Sequence, residues 1–178
     1  MKLIPIKAKD FETFYNHLEE DFIFEERRTK QKYLTVLKNK HFKPNFIYDK
    51  QLKQIVGYFC YWEFDDFIFG EHFAIYDNLR NQGLGSKFLN HFLTKIKKTF
   101  IGEIEQPATQ TAKRRCDFYV NKGFQILKKD YFQPSYHNSN KQIPMYIIGY
   151  DKSENFNFNS KLDKMIEVVY KNVYNLNV

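Results

Sequence analysis

Apolar residues recur along this chain at helical and at strand spacing, and the switches between the two periods mark its elements. Leu3 to Lys7 reads as a first strand. Asp10 then caps a helix that places Phe11, Phe14, Tyr15 and Leu18 on one face. A second helix, entered through Glu25, Glu26, Arg27, Arg28, Thr29 and Lys30, turns Tyr33, Leu34 and Leu37 inward, and Pro44 and Asn45 close that helical region. Phe46 to Asp49 and Gln54 to Phe64 are β-rich, and the polar Asp49, Lys50 and Gln51 between them predict a hairpin. Asp65 and Asp66 mark a further turn before a strand from Phe67 to Tyr76, so three strands form a meander.

Helical spacing resumes with Leu84, Phe88, Leu89, Phe92, Leu93 and Ile96, while Lys87, Asn90, Lys95, Lys97 and Lys98 take the other face. Phe100 to Gln106 is a short strand ended by Pro107. A strand, a helix and a second strand imply a parallel pair with a right-handed crossover. Thr109 to Asn121 is a further helix stopped by Gly123, and Phe124 to Leu127 a strand. Lys128 to Gln142 is polar and aromatic and predicts a long loop before the last strand, Ile143 to Tyr150. An Asn-rich stretch over 152–159 leads to a final amphipathic helix, Lys161 to Tyr174, bearing Leu162, Met165, Ile166, Val169 and Val173.

Composition narrows the class. With 178 residues, 43% of them hydrophobic and 28% charged, the chain suits one soluble domain able to bury a core without metals or disulfides. No apolar run reaches the ~20 residues of a membrane helix, and the N-terminus lacks the pattern of a signal peptide, so the cytoplasm is the expected location. Cys60 and Cys116 have neither metal nor redox spacing, which predicts buried thiols and no metal site. A net charge of +7 fits nucleic acid, an acidic substrate, a phosphate-rich cofactor or merely a solvated basic surface, and the lysines are scattered. The Arg27 and Arg28 cluster is open to two readings as well, a grip on a ligand phosphate or an exposed helix start of mixed charge.

The chemistry concentrates where the meander ends, at Arg80, Asn81, Gln82, Gly83, Leu84 and Gly85. A dinucleotide fingerprint wants a third glycine at position 88, which is Phe, although Glu103 and Glu105 lie at about the right distance for a ribose contact. A nucleotide P-loop wants Lys before Ser, whereas Ser86 precedes Lys87. What the corner does supply is a run of backbone N–H groups from Gln82 to Ser86 at a positive helix end, which makes an anion seat or a tight strand-to-helix turn.

Glu71, His72, Phe73, Ala74 and Ile75, then Arg80 to Gly85, then Glu103, Ile104 and Glu105, and later Arg114, Arg115, Phe118, Tyr119, Gly123 and Phe124, resemble the GNAT N-acetyltransferase superfamily. The resemblance covers roughly residues 1 to 150 and is strongest over 67–127. It implies an α/β (α+β) fold: a mixed, splayed central sheet of about six to seven strands flanked by helices. Residues 1–151 would form that domain, and 152–178 a linker and an extra C-terminal helix that caps the domain or meets a second subunit of a homodimer. Acetyl-CoA would be the co-substrate, its pantetheine pairing with Phe73, Ala74 and Ile75 and its pyrophosphate lying on Arg80, Asn81, Gln82, Gly83, Leu84, Gly85 and Ser86.

The inferred reaction is direct attack of a primary amine on the thioester. Such attack needs a base and an acid. By its place four residues before Gly123, Tyr119 matches the family's general acid. Glu71, directly or through a water, is the preferred base, with His72 and Glu105 behind it; as strand neighbours, Glu71 and His72 are expected on opposite faces. The chain departs from the family where an Asn on the helix of the acid is replaced by Ala112. Arg115, one turn before Tyr119, would instead meet a phosphate, lower the pKa of the tyrosine, or form a surface salt bridge. Acceptor specificity would come from Phe22 to Arg28 and Tyr131 to His137, with Glu25 and Glu26 attracting a cationic small-molecule or peptide amine. Two other classes stand beside the enzyme: an acyl-CoA-binding sensor without turnover, and a basic nucleic-acid-binding domain, which lacks any reading motif.

Overall fold

In the computed structural model, residues 1–137, 142–151 and 157–172 are described, Asn172 by its backbone alone. Seven strands follow the sheet order β1-β2-β3-β4-β5-β7-β6, and five α-helices accompany them among the described residues. The chain divides into two compact units.

The first unit comprises Met1–Glu63 and Gly70–Ile96. It holds β1 (Lys2–Pro5), α1 (Phe11–Asp21), α2 (Lys30–Val36), β2 (Phe42–Asp49), β3 (Gln54–Glu63), most of β4 (Phe67–Ile75) and α3 (Leu84–Lys95). Strand alternation on β3 sorts its aromatic residues onto two faces. Tyr58 meets α1, where Phe14 packs edge-on against Tyr58 and Phe46; Tyr33 of α2 lies beside Phe14 and edge-on to Phe42, which in turn packs on Trp62. Phe59 points the other way, to Phe73 and to Phe88 and Phe92 of α3. Phe14, Tyr33, Tyr58 and Trp62 are fully buried, each contributing about 2–3 kcal/mol of transfer free energy.

The hairpin between β2 and β3 is built on Asp49. Its Oδ1 accepts the N–H groups of Gln51 at 2.7 Å and Leu52 at 3.0 Å, and its Oδ2 accepts from Lys87 Nζ at 2.7 Å. That lysine, chiefly through its hydrogen bond, holds the carboxyl at about 2.

Three expectations change in this unit. The second helix stops at Val36, and β2 begins at Phe42 and runs through Pro44. Proline is tolerated there because the Pro44 carbonyl accepts from Ile6 N–H at 3.0 Å, so its nitrogen faces the end of β1, which pairs only as far as Asn45. Leu34 is exposed instead of inward, and Val36 takes the buried place beside Tyr33. Arg28 is not an exposed helix start but a fully buried side chain.

The second unit comprises Phe64–Phe69 and the chain from Lys97 onward. β5 (Thr99–Glu105) and β6 (Gln125–Gln133) both pair antiparallel with β7 (Ile143–Tyr150). Thr109 caps α4 (Gln110–Val120) by accepting from Ala112 N–H at 3.1 Å, and Gly123, at φ +88°, turns the chain out of it. The stretch expected as a loop over Lys128 to Gln142, of which 138–141 lie outside the described residues, opens as strand: β6 runs on to Gln133. Its alternation is broken by irregularities between Ile126 and Lys128 and between Lys128 and Tyr131, which hides the two-residue period.

α5 (Phe158–Met165) continues as a π-helix over Ile166–Asn172, and Leu162, Met165, Val169 and Tyr170 are buried. Lys161 pairs with Asp66, and its Nζ lies 5.7 Å from the centre of the Phe67 ring. Tyr170 donates to Glu103 Oε2 at 2.8 Å while Tyr131 donates to Oε1 at 2.5 Å. The terminal helix thus packs on its own unit; Val173 lies outside the described residues.

Candidate functional site

In the first unit, β4 delivers the chain to the glycine corner. Phe73, Ala74 and Ile75 are half-buried at the strand's end. Gly57 of β3 lies against them so closely that a Cβ there would stand 2.1 Å from the Ala74 carbonyl oxygen. Asn81 and Gly83 adopt left-handed backbone, at φ +61° and +73°, to turn the chain into α3. Gly83 is the N-cap of that helix, and no side chain caps its first turn. Arg80 to Gly83 are exposed, and Gly85 and Ser86 half-buried, so the helix offers its first N–H groups at an accessible corner with a positive end.

Arg80 is held by the protein itself. Its Nε donates to the Ile75 carbonyl at 3.0 Å, one terminal nitrogen to Asp77 at 2.8 Å, and the other to Asp21.

Glu71 and His72 do not divide between the two faces. The Glu71 side chain is 2% exposed, its Oε1 lies 2.5 Å from the Arg28 guanidinium, and its Oε2 accepts from Trp62 Nε1 at 3.2 Å. His72, likewise 2% exposed, directs Nε2 at the Glu26 carbonyl at 2.9 Å, and its Nδ1 stands 3.8 Å from Glu71 Oε2 with no hydrogen-bond partner. Both side chains therefore meet the segment that follows α1. A guanidinium with no exposed surface needs a counter-charge close by, which draws Glu71 to the side that strand alternation denies it. Burial lowers the pKa of His72, against the opposing pull of Glu71, so its ring is neutral at neutral pH. Glu26 is buried and Glu25 half-buried, whereas Ile23 and Phe24 beside them are exposed.

In the second unit, Tyr119 stands half-buried on α4 with its ring edge-on to Phe118 and Phe124. Its hydroxyl makes no hydrogen bond among the described residues. Burial pushes the phenol up to about 12, and the nearby Arg115 charge pulls it only partly back. Arg115 itself pairs with Glu105 at 2.6 Å, both side chains about two-fifths exposed, so this base candidate is engaged in a surface ion pair.

Sequence reasoning passed over Asp21, Arg28 as a buried cation, and the tyrosines on Glu103. Nothing local marks any of them, since each acquires its meaning from a partner at least 28 positions away.

The Acetyltransferase (GNAT) family model matches residues 11–124. A protein of Bacteroides thetaiotaomicron assigned to the GNAT family shares 31% identity and a TM-score of 0.86, covering 96% of this chain and 98% of that one. Spermidine N-acetyltransferase from Vibrio cholerae, in complex with CoA and spermine, shares 12% identity at a TM-score of 0.61, covering 84% of this chain and 94% of that one. Arabidopsis thaliana NAA60 in complex with acetyl-CoA shares 11% at 0.58, with 84% and 97% covered. The last two show likeness of fold. Among curated proteins no significant match is found. No helix among the described residues is long and apolar enough to cross a membrane.

Proposed function

Because this chain belongs to the acetyltransferase (GNAT) family and is thereby an acetyl-CoA-dependent N-acetyltransferase, we propose which of its residues carry the transfer to a primary amine. The observation that carries the reading is the accessible start of α3, whose N–H groups no side chain caps, set within the residues matched to the family.

The N–H groups of Gln82, Gly83, Leu84, Gly85 and Ser86 would receive the pyrophosphate of acetyl-CoA, where the missing Cβ of Gly83 leaves the main chain open. Phe73, Ala74 and Ile75 would pair with its pantetheine. The neutral amine attacks the thioester carbonyl carbon, a C–N bond forms, and the C–S bond breaks to release a thiolate. Tyr119 is the general acid for that thiolate: its phenol keeps its proton across the neutral range and has no protein partner among the described residues to compete for it.

For the base, the ion pair of Glu71 with Arg28 supports a shared role. His72 Nδ1, neutral and unpartnered, takes the amine's proton through a water, and Glu71 at 3.8 Å stabilises the imidazolium that results. Glu105 stays with Arg115.

Release of the CoA thiol on adding an amine panel tests the reading, together with calorimetry of acetyl-CoA on the wild-type protein and on Gly83→Trp. Binding that Gly83→Trp abolishes is expected, and a wild-type protein that ignores acetyl-CoA refutes the reading. The enclosure of Glu71 by Arg28 and Trp62 favours a second reading, an acyl-CoA-binding module without turnover. Tight binding with no transfer to any amine selects it.

A further inference from the structure

Asp21 ends α1 and directs its carboxylate inward, with 9% of the side chain exposed. Its two oxygens have different partners. Oδ2 accepts from the fully buried Tyr58 hydroxyl at 2.8 Å, and Oδ1 receives the guanidinium of Arg80. The charge on Asp21 also reaches Tyr76, whose phenol burial and that charge together push up to about 12. A carboxylate fixed by one phenol and neighboured by another is a seat for a cation, and the structure shows it filled by a cation of the protein's own.

That occupant is tied to the glycine corner. Arg80 is also the first residue of the corner motif, 45% exposed, and holds the Ile75 carbonyl at the end of β4. A diphosphate arriving at the start of α3 competes with Asp21 for the same guanidinium.

We propose that Asp21 and Tyr58 form a binding site for a second positive charge on the acceptor, closed by Arg80 until a diphosphate at the corner draws the guanidinium away. The inference rests on the corner being the acetyl-CoA seat and adds a substrate class to that reading. The reacting nitrogen must be neutral, so the ammonium held by Asp21 belongs to another group of the same molecule. The acceptor is a diamine or a longer polycation. Oδ2 keeps its bond from Tyr58 throughout, so Asp21 stays ordered while its Oδ1 exchanges one cation for another.

The test uses Asp21→Asn, which retains an oxygen for Tyr58 and removes the charge, with circular dichroism confirming the fold. Calorimetry with acetyl-CoA and with S-acetylpantetheine, which lacks the diphosphate, separates the competition from general loosening. Asp21→Asn is expected to bind acetyl-CoA about 3- to 10-fold tighter and S-acetylpantetheine unchanged. In steady-state assays with 1,4-diaminobutane and n-butylamine, the wild-type protein is expected to prefer the diamine in kcat/KM by at least about tenfold. That preference falls to near unity in Asp21→Asn through KM. Prior saturation with CoA tightens diamine binding to the wild-type protein, and the diamine tightens CoA by the same factor. Unchanged acetyl-CoA affinity in Asp21→Asn, S-acetylpantetheine tightened in it as much as acetyl-CoA, or an undiminished diamine preference overturns the inference and leaves the acetyl-CoA seat standing. A wild-type protein that binds no acetyl-CoA overturns both.

Discussion

Glu71→Gln separates a counter-ion from a base. The variant keeps the shape of the side chain and an oxygen for Trp62, and it removes the charge that faces Arg28 at 2.5 Å. Arg28 has no exposed surface, and its guanidinium carbon lies 5.5–5.8 Å from the ring centres of Tyr33, Phe42 and Trp62. Those ring faces offset part of the cost of burying the charge, yet they are no substitute for a carboxylate. Breaking a buried pair by removing one partner costs roughly 3–5 kcal/mol, and the isosteric amide places Glu71→Gln near about 3 kcal/mol. Urea unfolding at pH 7, followed by far-ultraviolet circular dichroism, reads this as a lower midpoint at constant slope. Replacing both partners, Arg28→Met with Glu71→Leu, removes the charge along with its counter-charge and is expected to cost less than either single change. A loss below about 1 kcal/mol in Glu71→Gln, or a double variant as weak as the two singles added, refutes the reasoning. The folded variant also reports on chemistry: a counter-ion lowers kcat by less than about tenfold, whereas removing a direct base costs about 10²–10⁴.

Three further outcomes follow from the geometry. Tyr119→Phe lowers kcat about 10²-fold while calorimetry finds acetyl-CoA affinity unchanged, and the wild-type rate shows no alkaline loss from this group below about pH 11; equal rates in the two proteins remove Tyr119 from the mechanism. Asp49, held at about 2 in the folded protein against an ordinary 3.8, contributes about 1–2 kcal/mol once the part-exposed Lys87 is allowed for. That stability is fully present above pH 4 and lost as pH falls toward 2, so the unfolding difference between wild type and Asp49→Asn should shrink over that window, and a difference independent of pH refutes the pairing. Gly57→Ala forces the backbone at Ala74 and Ile75 to move, because the new methyl has only 2.1 Å to the Ala74 oxygen; acetyl-CoA affinity should fall at least about tenfold with the fold retained, and an unchanged affinity takes this strand end out of the cofactor site.

Most elements were legible because their periods are long and uninterrupted. α3 and α4 lie within a residue of where Leu84 to Ile96 and Thr109 to Asn121 predicted them, and α1 starts at Phe11 as its apolar face predicted and runs on past Leu18 to Asp21. Pro44 misled, because it reads as a breaker unless the end of β1 beside it is known. β6 was cut short in the reading by bulges that spoil its alternation. At the site, the glycine corner announced itself through left-handed positions that glycine fills cheaply. The surroundings of Glu71 did not: its neighbour in sequence is His72, but the partner that decides its position is Arg28, 43 residues earlier, and local alternation assigned it the wrong face.

The carboxylate of Glu103 has a consequence for the order in which the chain matures. β5 emerges during synthesis well before the two phenols that serve its oxygens, one at Tyr131 and the other at Tyr170. Until the π-helical turn carrying Tyr170 has left the ribosome, that strand carries a charged group whose protein partners are incomplete. Both bonds to Glu103 therefore form only once β6 and the π-helical turn are in place, so a nascent chain interrupted after Tyr150 carries a Glu103 that lacks the Tyr170 bond.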